Sequence, residues 1–165
     1  MANLHDIVQW CNQTLKANEF KDYAPNGLQI EGKSEIKKIV CAVTASEDAI
    51  DAAIAQQADV LLVHHGYFWK GEPYPITGMR GNRIKKLIQH NISLIAYHLP
   101  LDAHPVLGNN AAIADLIGLK NLEALDSSEK HPIGNIAYLE HALSPEQFKA
   151  KLQAIFDFNV IHLPS

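Results

Sequence analysis

The chain has 165 residues, a formal net charge of −4 and 47% hydrophobic residues. A chain of this length buries roughly 70% of its extended surface, which is enough for a hydrophobic core without disulfide staples. The composition excludes an intrinsically disordered protein. The negative charge gives no basic footprint for nucleic acid, and no segment approaches the ~20 apolar residues that a membrane-spanning helix needs.

The N-terminal segment and the cysteines both favour a reducing compartment. Residues 1–20 are interrupted by polar side chains and lack the unbroken apolar centre of a signal peptide. Cys11 and Cys41 are far apart, and each falls on a predicted apolar face, which is typical of reduced core thiols. We therefore expect a cytoplasmic protein that contacts no membrane.

Helical and strand patterns alternate through the first 126 residues. In chain order they predict a helix over 3–19, a turn over 22–27, a strand over 39–43, a helix capped by Ser46, a strand over 59–63, an aromatic loop over 66–78, a helix through 84–88, a strand over 93–97 and a helix from Asn109 to Gly118. This alternation predicts βαβ units, and therefore an α/β fold with a mainly parallel sheet flanked by helices.

The pattern changes after residue 126. A polar linker over 126–132 precedes a predicted strand over 135–139, a helix capped by Ser144 with Pro145 at its first position, and a strand over 160–163. A strand–helix–strand piece of this size is too small to bury a core alone. We predict one domain over 1–126, and we interpret 127–165 as the incomplete start of a second, smaller α/β domain.

Polar side chains follow the two most apolar predicted strands. His64 and His65 come directly after the strand over 59–63, and Asp102 follows the strand over 93–97. The carboxyl ends of parallel strands share one edge of a sheet, where ligands bind in open α/β folds. We therefore predict that His64, His65 and Asp102 are ligands of a divalent-metal site.

Adjacent side chains of a regular strand point to opposite faces, so His64 and His65 cannot both reach one ion while the strand stays regular. Either the strand breaks at Gly66 and both rings turn inward, or the two rings serve two neighbouring ions bridged by the Asp102 carboxylate. Imidazole with carboxylate suits Zn, Fe, Mn, Co or Ni better than Ca, and the residues do not choose among these metals.

His98 lies four residues before Asp102 and has several possible roles. It is a candidate metal ligand, a general acid or base, a donor that holds Asp102, or a structural histidine under Pro100. We assign it the catalytic role of proton transfer. His104 precedes a proline in a predicted exposed turn. The remaining histidines are interpreted as surface or structural residues; they are His5, His90, His131, His141 and His162.

Two further segments near the predicted site have alternative interpretations. The cations Arg80, Arg83, Lys85 and Lys86 could bind phosphate, but a solvated helix face is the favoured interpretation. The aromatic loop over 66–78 could stack on a flat heterocycle, but a subunit interface is preferred because tyrosine and tryptophan are enriched in interfaces.

Four sequence blocks occur in an order that resembles a known family. They are Asn26-Gly27-Leu28-Gln29, the block over 63–72 that begins Val63-His64-His65-Gly66, the block over 98–105 that begins His98-Leu99-Pro100-Leu101-Asp102, and Gly108-Asn109-Asn110. Together they resemble the Nif-three-like family, whose members are often labelled GTP cyclohydrolase I type 2 homologues. The likeness covers residues 20–118 strongly and the flanks loosely.

The resemblance implies an α/β protein that assembles into a toroidal homohexamer with a dinuclear metal centre inside the ring. The family ligands present in this chain would be His64, His65 and Asp102. The family also uses a histidine and a glutamate from a C-terminal segment that follows an inserted second domain. This chain ends inside what resembles the start of that insertion, so we expect it to be part of a longer protein.

The leading functional hypothesis is a metal-dependent hydrolase of the ring-opening type. Two divalent ions held partly by His64, His65 and Asp102 would activate water for attack on a nucleotide-like ring, with GTP suggested only by the family label. The alternatives are a non-catalytic metal-binding scaffold or protein-interaction ring, and a plain α/β domain without metal.

Overall fold

The computed structural model describes residues 1–163 and divides the chain into two compact units. The first unit comprises Met1–Leu101, and the second begins at Asp102. In the first unit the elements are β1 (Ala2–Asn3), α1 (Leu4–Leu15), a 3-10 turn (Ala17–Glu19), β2 (Gly27–Ile30), β3 (Glu35–Ile36), β4 (Ile39–Thr44), α2 (Glu47–Ala55), β5 (Val60–His65), α3 (Gly78–Gln89) and β6 (Ser93–Ala96).

The main sheet of the first unit has the strand order β2-β6-β5-β4. Strands β4, β5 and β6 are parallel, whereas β2 pairs with β6 in the antiparallel direction. The short strands β1 and β3 form a separate antiparallel pair. The mainly parallel α/β sheet predicted from the alternating pattern is therefore confirmed, with one antiparallel strand added at an edge.

Helices cover both faces of this sheet because the strand residues alternate between them. On one face, α1 packs Leu4 and Leu15 into a cluster with Val60 and Ile95. On the other face, α2 and α3 bury apolar side chains against alternate residues of β5 and β6. The central strand β5 is thus apolar on both faces, as expected for a parallel strand between two helical layers. This packing fixes the position of the strand that carries His64 and His65.

The boundaries of several elements differ from the sequence prediction. The first helix ends at Leu15 because Lys16 adopts a left-handed conformation with φ 51° and its N–H bonds back to the last turn. The predicted turn over 22–27 leads directly into β2, which the sequence analysis did not identify. Cys11 is buried as predicted, but Cys41 is exposed because it lies on β4, an edge strand of the sheet.

In the second unit the elements are α5 (Asn109–Ile117), β7 (Lys120–Ala124), β8 (Asn135–Tyr138) and α6 (Pro145–Phe156), and α4 (Leu99–Ala103) runs across the division. Gly118 ends α5 in the left-handed conformation with φ 77°. Helix α6 begins with the predicted capping box of Ser144 and Gln147.

The second unit departs from the predicted strand–helix–strand arrangement at two points. Strand β7, absent from the prediction, pairs antiparallel with β8 and joins residues on both sides of position 126. Residues 160–163 form no strand, and the sheet of this unit consists of β7 and β8 in the part of the chain that the structure describes. Residues 164 and 165 of the predicted second domain lie outside the described residues.

Asp59, directly before β5, carries a buried carboxylate that should stabilise the fold. It accepts hydrogen bonds from Lys33 Nζ at 2.9 Å, Lys37 N at 2.9 Å and Lys38 N at 3.1 Å. Burial alone would raise the pKa of the Asp59 carboxyl, but these donors and the Lys33 charge outweigh it and hold the pKa below 3.8. The ionised carboxylate is therefore favoured by folding.

We expect Asp59→Asn to lower the free energy of unfolding by about 1–3 kcal/mol at neutral pH, because an amide cannot accept from all three donors. The folded-state pKa is depressed, so this stabilisation is present above the unfolded value and is lost as the pH falls through the folded value. Urea unfolding at pH 7 and below pH 4 would measure this, and the gap between wild type and variant should close in acid. A gap that stays constant with pH would contradict the prediction.

Candidate metal centre

Three imidazole rings converge where β5 and β6 end. His64 and His65 are the last two residues of β5, and His98 follows β6. One ring nitrogen of each lies within 4.8 Å of the others. The ring centroids are 4.4 Å apart for His64 and His65, 5.0 Å for His64 and His98, and 5.7 Å for His65 and His98. We refer to these three residues as the histidine cluster.

The end of β5 shows how adjacent strand residues come to share this cluster. Pairing of β5 with β4 continues to His65, which lies opposite Thr44, whereas the ladder with β6 ends at Val63. Beyond Val63, β5 is therefore held by the sheet on one side only. The two rings meet at an interplanar angle of 47°. The two rings therefore lie next to each other although their residues are adjacent in the strand, and both arrangements considered from the sequence stay open.

A backbone carbonyl fixes the tautomer of His64. Its Nδ1 lies 2.9 Å from the carbonyl oxygen of Tyr97, and a carbonyl oxygen only accepts hydrogen bonds. Nδ1 of His64 must therefore carry the hydrogen, and the lone pair that can bind a cation is on Nε2. Histidines that bind a metal through one ring nitrogen commonly donate the N–H of the other nitrogen to such an acceptor.

The other two rings of the cluster are held by side chains. Nδ1 of His98 lies 2.8 Å from Oδ1 of Asp22. Because the carboxylate accepts the hydrogen of Nδ1, the lone pair of the His98 ring is on Nε2. Nδ1 of His65 lies 3.2 Å from Oγ1 of Thr44. A hydroxyl group both donates and accepts, so Thr44 is compatible with either tautomer of His65. The three rings together offer the donor set that Zn, Co, Ni or Fe accepts.

Residues 26–29 hold the backbone around the cluster through hydrogen bonds, a role that their motif and turn signal do not predict. Oδ1 of Asn26 accepts the backbone N–H of His98 at 2.7 Å. Oε1 of Gln29 accepts the backbone N–H of Tyr67 at 2.7 Å, while its Nε2 donates to the Pro25 carbonyl at 2.8 Å. The Asn-Gly turn gives local sequence evidence for the chain reversal, but these long-range partners leave no signal in spacing.

The aromatic loop forms part of the wall around the cluster. The indole of Trp69 donates to the Gly66 carbonyl at 3.1 Å, and its ring meets His98 edge-on, with centroids 4.9 Å apart at 80°. The Tyr67 hydroxyl donates to the Ala45 carbonyl at 2.6 Å, and burial raises the pKa of Tyr67 to about 12. In contrast, Tyr74 is 99% exposed. The first half of the loop therefore shapes the site, and the second half remains a candidate interface.

Arg80, the first basic residue of α3, makes structural contacts with the aromatic loop. Nη1 of Arg80 lies 2.7 Å from the Glu72 carboxylate, and the same guanidinium donates to the backbone carbonyls of Pro73 and Pro75. Glu72 in turn accepts the backbone N–H of Trp69 at 3.1 Å. Arg80 thus closes the aromatic loop, which favours a structural role for it over phosphate binding.

Asp102 is the first residue of the second compact unit. Its Oδ1 accepts a hydrogen bond from Nδ2 of Asn109 at 2.8 Å, a contact between two blocks of the motif series. A carboxylate has further lone pairs, so this bond is compatible with a metal-ligand role. The addition of Asp102 to the histidine cluster stays a prediction, as do the ligand roles of His64 and His65.

The histidine cluster is a group of three side chains that could hold a metal ion. The anchoring of Nδ1 in His64 and His98 places the lone pair of each ring on Nε2, which fits the requirement for a neutral imidazole ligand.

In residues 1–163 the structure contains no helix that is long and apolar enough to cross a membrane.

Comparison with known proteins shows the family to which this chain belongs. The family model described as Duf34/NIF3 (NGG1p interacting factor 3) matches residues 2–164. The "GTP cyclohydrolase 1 type 2 homolog" of Haemophilus influenzae is 48% identical over 158 residues, which cover 95% of this chain and 62% of the relative. The protein of the same name from Vibrio cholerae is 49% identical over 156 residues, covering 92% of this chain and 60% of the relative.

Solved structures agree with the sequence relatives. A structure titled "protein ybgI, unknown function" has a TM-score of 0.88 and 41% identity, and the match covers 95% of this chain and 62% of that chain. TTHA1606 from Thermus thermophilus has a TM-score of 0.85 and 34% identity, with the same coverage of 95% and 62%. The chain thus spans less than two thirds of the length of these relatives, and it belongs to the Duf34/NIF3 family.

Proposed function

We propose that this chain contributes to a metal-dependent hydrolase with a dinuclear divalent-metal site. His64, His65 and Asp102 would hold the ions, and His98 would move protons. The observation that carries this proposal is the histidine cluster, in which two of three converging rings have their Nδ1 engaged by acceptors. Acceptors at that atom are the partners that metal-binding histidines commonly have.

The chemistry assigns different tasks to the metal and to the protein. Divalent ions polarise substrate oxygen and lower the pKa of the water that they bind. His64 and His65 supply neutral nitrogen ligands at the end of β5, and Asp102 would supply oxygen. The Trp69 ring packs edge-on against the His98 ring. His98 would accept a proton from the attacking water through Nε2.

The proposed reaction is hydrolysis of a ring bond in a nucleotide-like substrate. The oxygen of water forms a bond to an electron-poor ring carbon, and one carbon–nitrogen bond of the ring breaks. The proton taken up by His98 passes to the departing nitrogen, so the reaction consumes one water and needs no redox partner. GTP is the first candidate because several relatives are named "GTP cyclohydrolase 1 type 2 homolog".

A second candidate function is a metal-binding scaffold or protein-interaction ring without catalysis. It is favoured by the apolar surface of the aromatic loop and the start of α3, where Tyr74 is 99%, Ile76 53% and Met79 65% exposed. Such surfaces mark interaction sites. Assembly into a homohexamer, as the family resemblance implies, would use such a surface. Under either function we place the protein in the cytoplasm.

The test is to load the metal-depleted chain with Co²⁺ and follow the ultraviolet spectrum of GTP. The hydrolase proposal predicts a metal-dependent spectral change that the His64→Ala variant does not produce. Bound Co²⁺ with an unchanged GTP spectrum would reject GTP as the substrate and favour the scaffold. Equal Co²⁺ content in the wild type and His64→Ala would reject the metal site itself.

A further inference from the structure

Asp22 is a buried carboxylate next to the histidine cluster, in the segment that precedes β2. Its side chain is 3% exposed, and four donors surround it. Oδ1 accepts from Nδ1 of His98 at 2.8 Å and from Tyr23 N at 2.6 Å. Oδ2 accepts from Nδ2 of Asn26 at 2.9 Å and from Leu99 N at 2.9 Å.

These donors keep the carboxylate ionised. Burial alone would raise the pKa of Asp22, but the hydrogen bonds from His98, Asn26 and two backbone amides outweigh it, so the pKa lies below 3.8. An ionised carboxylate only accepts hydrogen bonds. The hydrogen between Asp22 and His98 therefore belongs to Nδ1 of His98.

We propose that Asp22 is a positioning residue of the metal centre, which fixes the tautomer and the orientation of His98 so that its lone pair lies on Nε2. This inference rests on the proposed function, because it gives His98 a defined role in a metal site. It extends the proposal to a residue that the sequence motifs did not include. Carboxylates that hold a histidine in this way commonly tune metal sites.

Other contacts hold the ring but leave its protonation to Asp22. The backbone N–H of His98 donates to Oδ1 of Asn26 at 2.7 Å, which fixes the main chain. The indole of Trp69 packs edge-on against the ring with centroids 4.9 Å apart. Neither contact engages Nδ1. Asp22 is thus the residue whose chemistry decides which nitrogen of His98 carries the hydrogen.

The substitution Asp22→Asn separates this role from packing because it keeps the shape of the side chain. An amide offers one oxygen and one NH₂ group where four donors now converge. If the oxygen faces Asn26 and Leu99, the NH₂ group faces His98 and Tyr23. Of those two, only His98 can change from donor to acceptor, and its hydrogen then moves to Nε2. The same exchange of tautomer is the reason that an Asp-to-Asn change disables a catalytic histidine elsewhere.

The first measurement is a long-range proton–nitrogen NMR correlation of the histidine rings in the metal-free chain. We expect the Nδ1–H form for His98 in the wild type and the Nε2–H form in Asp22→Asn. The matched control is Asp48→Asn, an exposed aspartate on α2, which should leave the His98 signals unchanged. An Nε2–H form in the wild type would overturn the inference without any variant, even if Asp22→Asn does not fold.

The second measurement is the Co²⁺-dependent hydrolysis of GTP, followed by its ultraviolet spectrum. We expect Asp22→Asn to lower the rate roughly 100-fold, because the lone pair of His98 that accepts the proton no longer lies on Nε2. In a His98→Ala background the same substitution should have no further effect, because Asp22 acts through His98. An equal loss in both backgrounds would assign Asp22 a structural role and overturn the inference.

These results distinguish the two proposals. If His64→Ala and the wild type bind Co²⁺ equally, the metal site fails and the role of Asp22 in it fails as well. If His64→Ala weakens Co²⁺ binding while Asp22→Asn changes neither the tautomer of His98 nor the rate of hydrolysis, the proposed function survives and only the role of Asp22 is rejected.

Discussion

The His64→Ala variant should bind Co²⁺ about 100-fold more weakly than the wild type. The substitution removes one of the nitrogen ligands, and a 100-fold loss of affinity corresponds to about 2.7 kcal/mol of binding free energy. The fold should persist. His64 is half-buried, and its removal leaves the Tyr97 carbonyl without that donor, which costs about 1 kcal/mol. Isothermal titration with Co²⁺ and thermal unfolding of the same samples measure the two effects separately.

The matched control is His90→Ala, which removes an exposed imidazole at the end of α3. It should change neither the Co²⁺ affinity nor the bound-metal content. A His64→Ala variant that loses stability but keeps its metal affinity would support the plain α/β domain and contradict the metal-site account. A loss of affinity of equal size in both variants would instead indicate nonspecific binding by surface histidines.

The Gly66→Ala variant should disturb both the stability and the metal affinity, because Gly66 has no room for a side chain. A Cβ at this position would fall inside contact distance of Oε1 of Gln29 and lie 2.7 Å from Cβ of Ala96. The same Gln29 oxygen accepts the Tyr67 N–H, so relief of the clash breaks that bond. We expect a loss of about 1–3 kcal/mol and a displaced end of β5.

Gly78→Ala is the control for this substitution. Gly78 has a φ of +59° and no atom within 4 Å of a built Cβ, so alanine there meets backbone strain without crowding. Both variants should lower the melting temperature, but only Gly66→Ala should weaken Co²⁺ binding. If the two variants keep the same metal affinity, the brace formed by Gln29 does not position the histidine cluster.

The parallel strands and the place of His64 and His65 at the end of one of them are the parts of the structure that local patterns could predict. Val60, Leu61 and Val63 are buried because their strand is central in the sheet, and the histidines that follow lie at the carboxyl end of that strand. Side chains of adjacent strand residues point to opposite faces, so the sequence alone does not explain how the rings of His64 and His65 come together. The pairing of β5 with β6 ends at Val63, and the pattern of a single strand cannot predict where its pairing with a neighbour ends.

The supporting residues around the cluster could not be predicted because their partners are distant in sequence. Asp22 and His98 are separated by 76 positions, and Gln29 and Tyr67 by 38. Strand β2 was missed for a related reason. Its four residues follow a turn signal and pair with β6 in the direction opposite to the other strands, which a βαβ pattern does not predict.

The second unit shows the opposite failure, in which a local pattern predicted an element that does not form. Residues 160–163 include the β-branched Val160 and Ile161, but within residues 102–163 the strands β7 and β8 pair only with each other. Strand β7 is largely exposed and contains Lys120 and Glu123, so it lacked the apolar pattern of a strand. Strand formation in this unit follows from hairpin pairing more than from composition.

The central claim is that His64, His65 and Asp102 bind divalent metal together. The most direct test is anomalous diffraction from crystals of the chain grown with Co²⁺. The account predicts anomalous peaks within about 2–2.2 Å of a ring nitrogen of His64 or His65 and of an Asp102 oxygen. Bound Co²⁺ that contacts neither histidine, or Asp102 oxygens beyond ~10 Å from both rings when ligand bonds are near 2 Å, would contradict it.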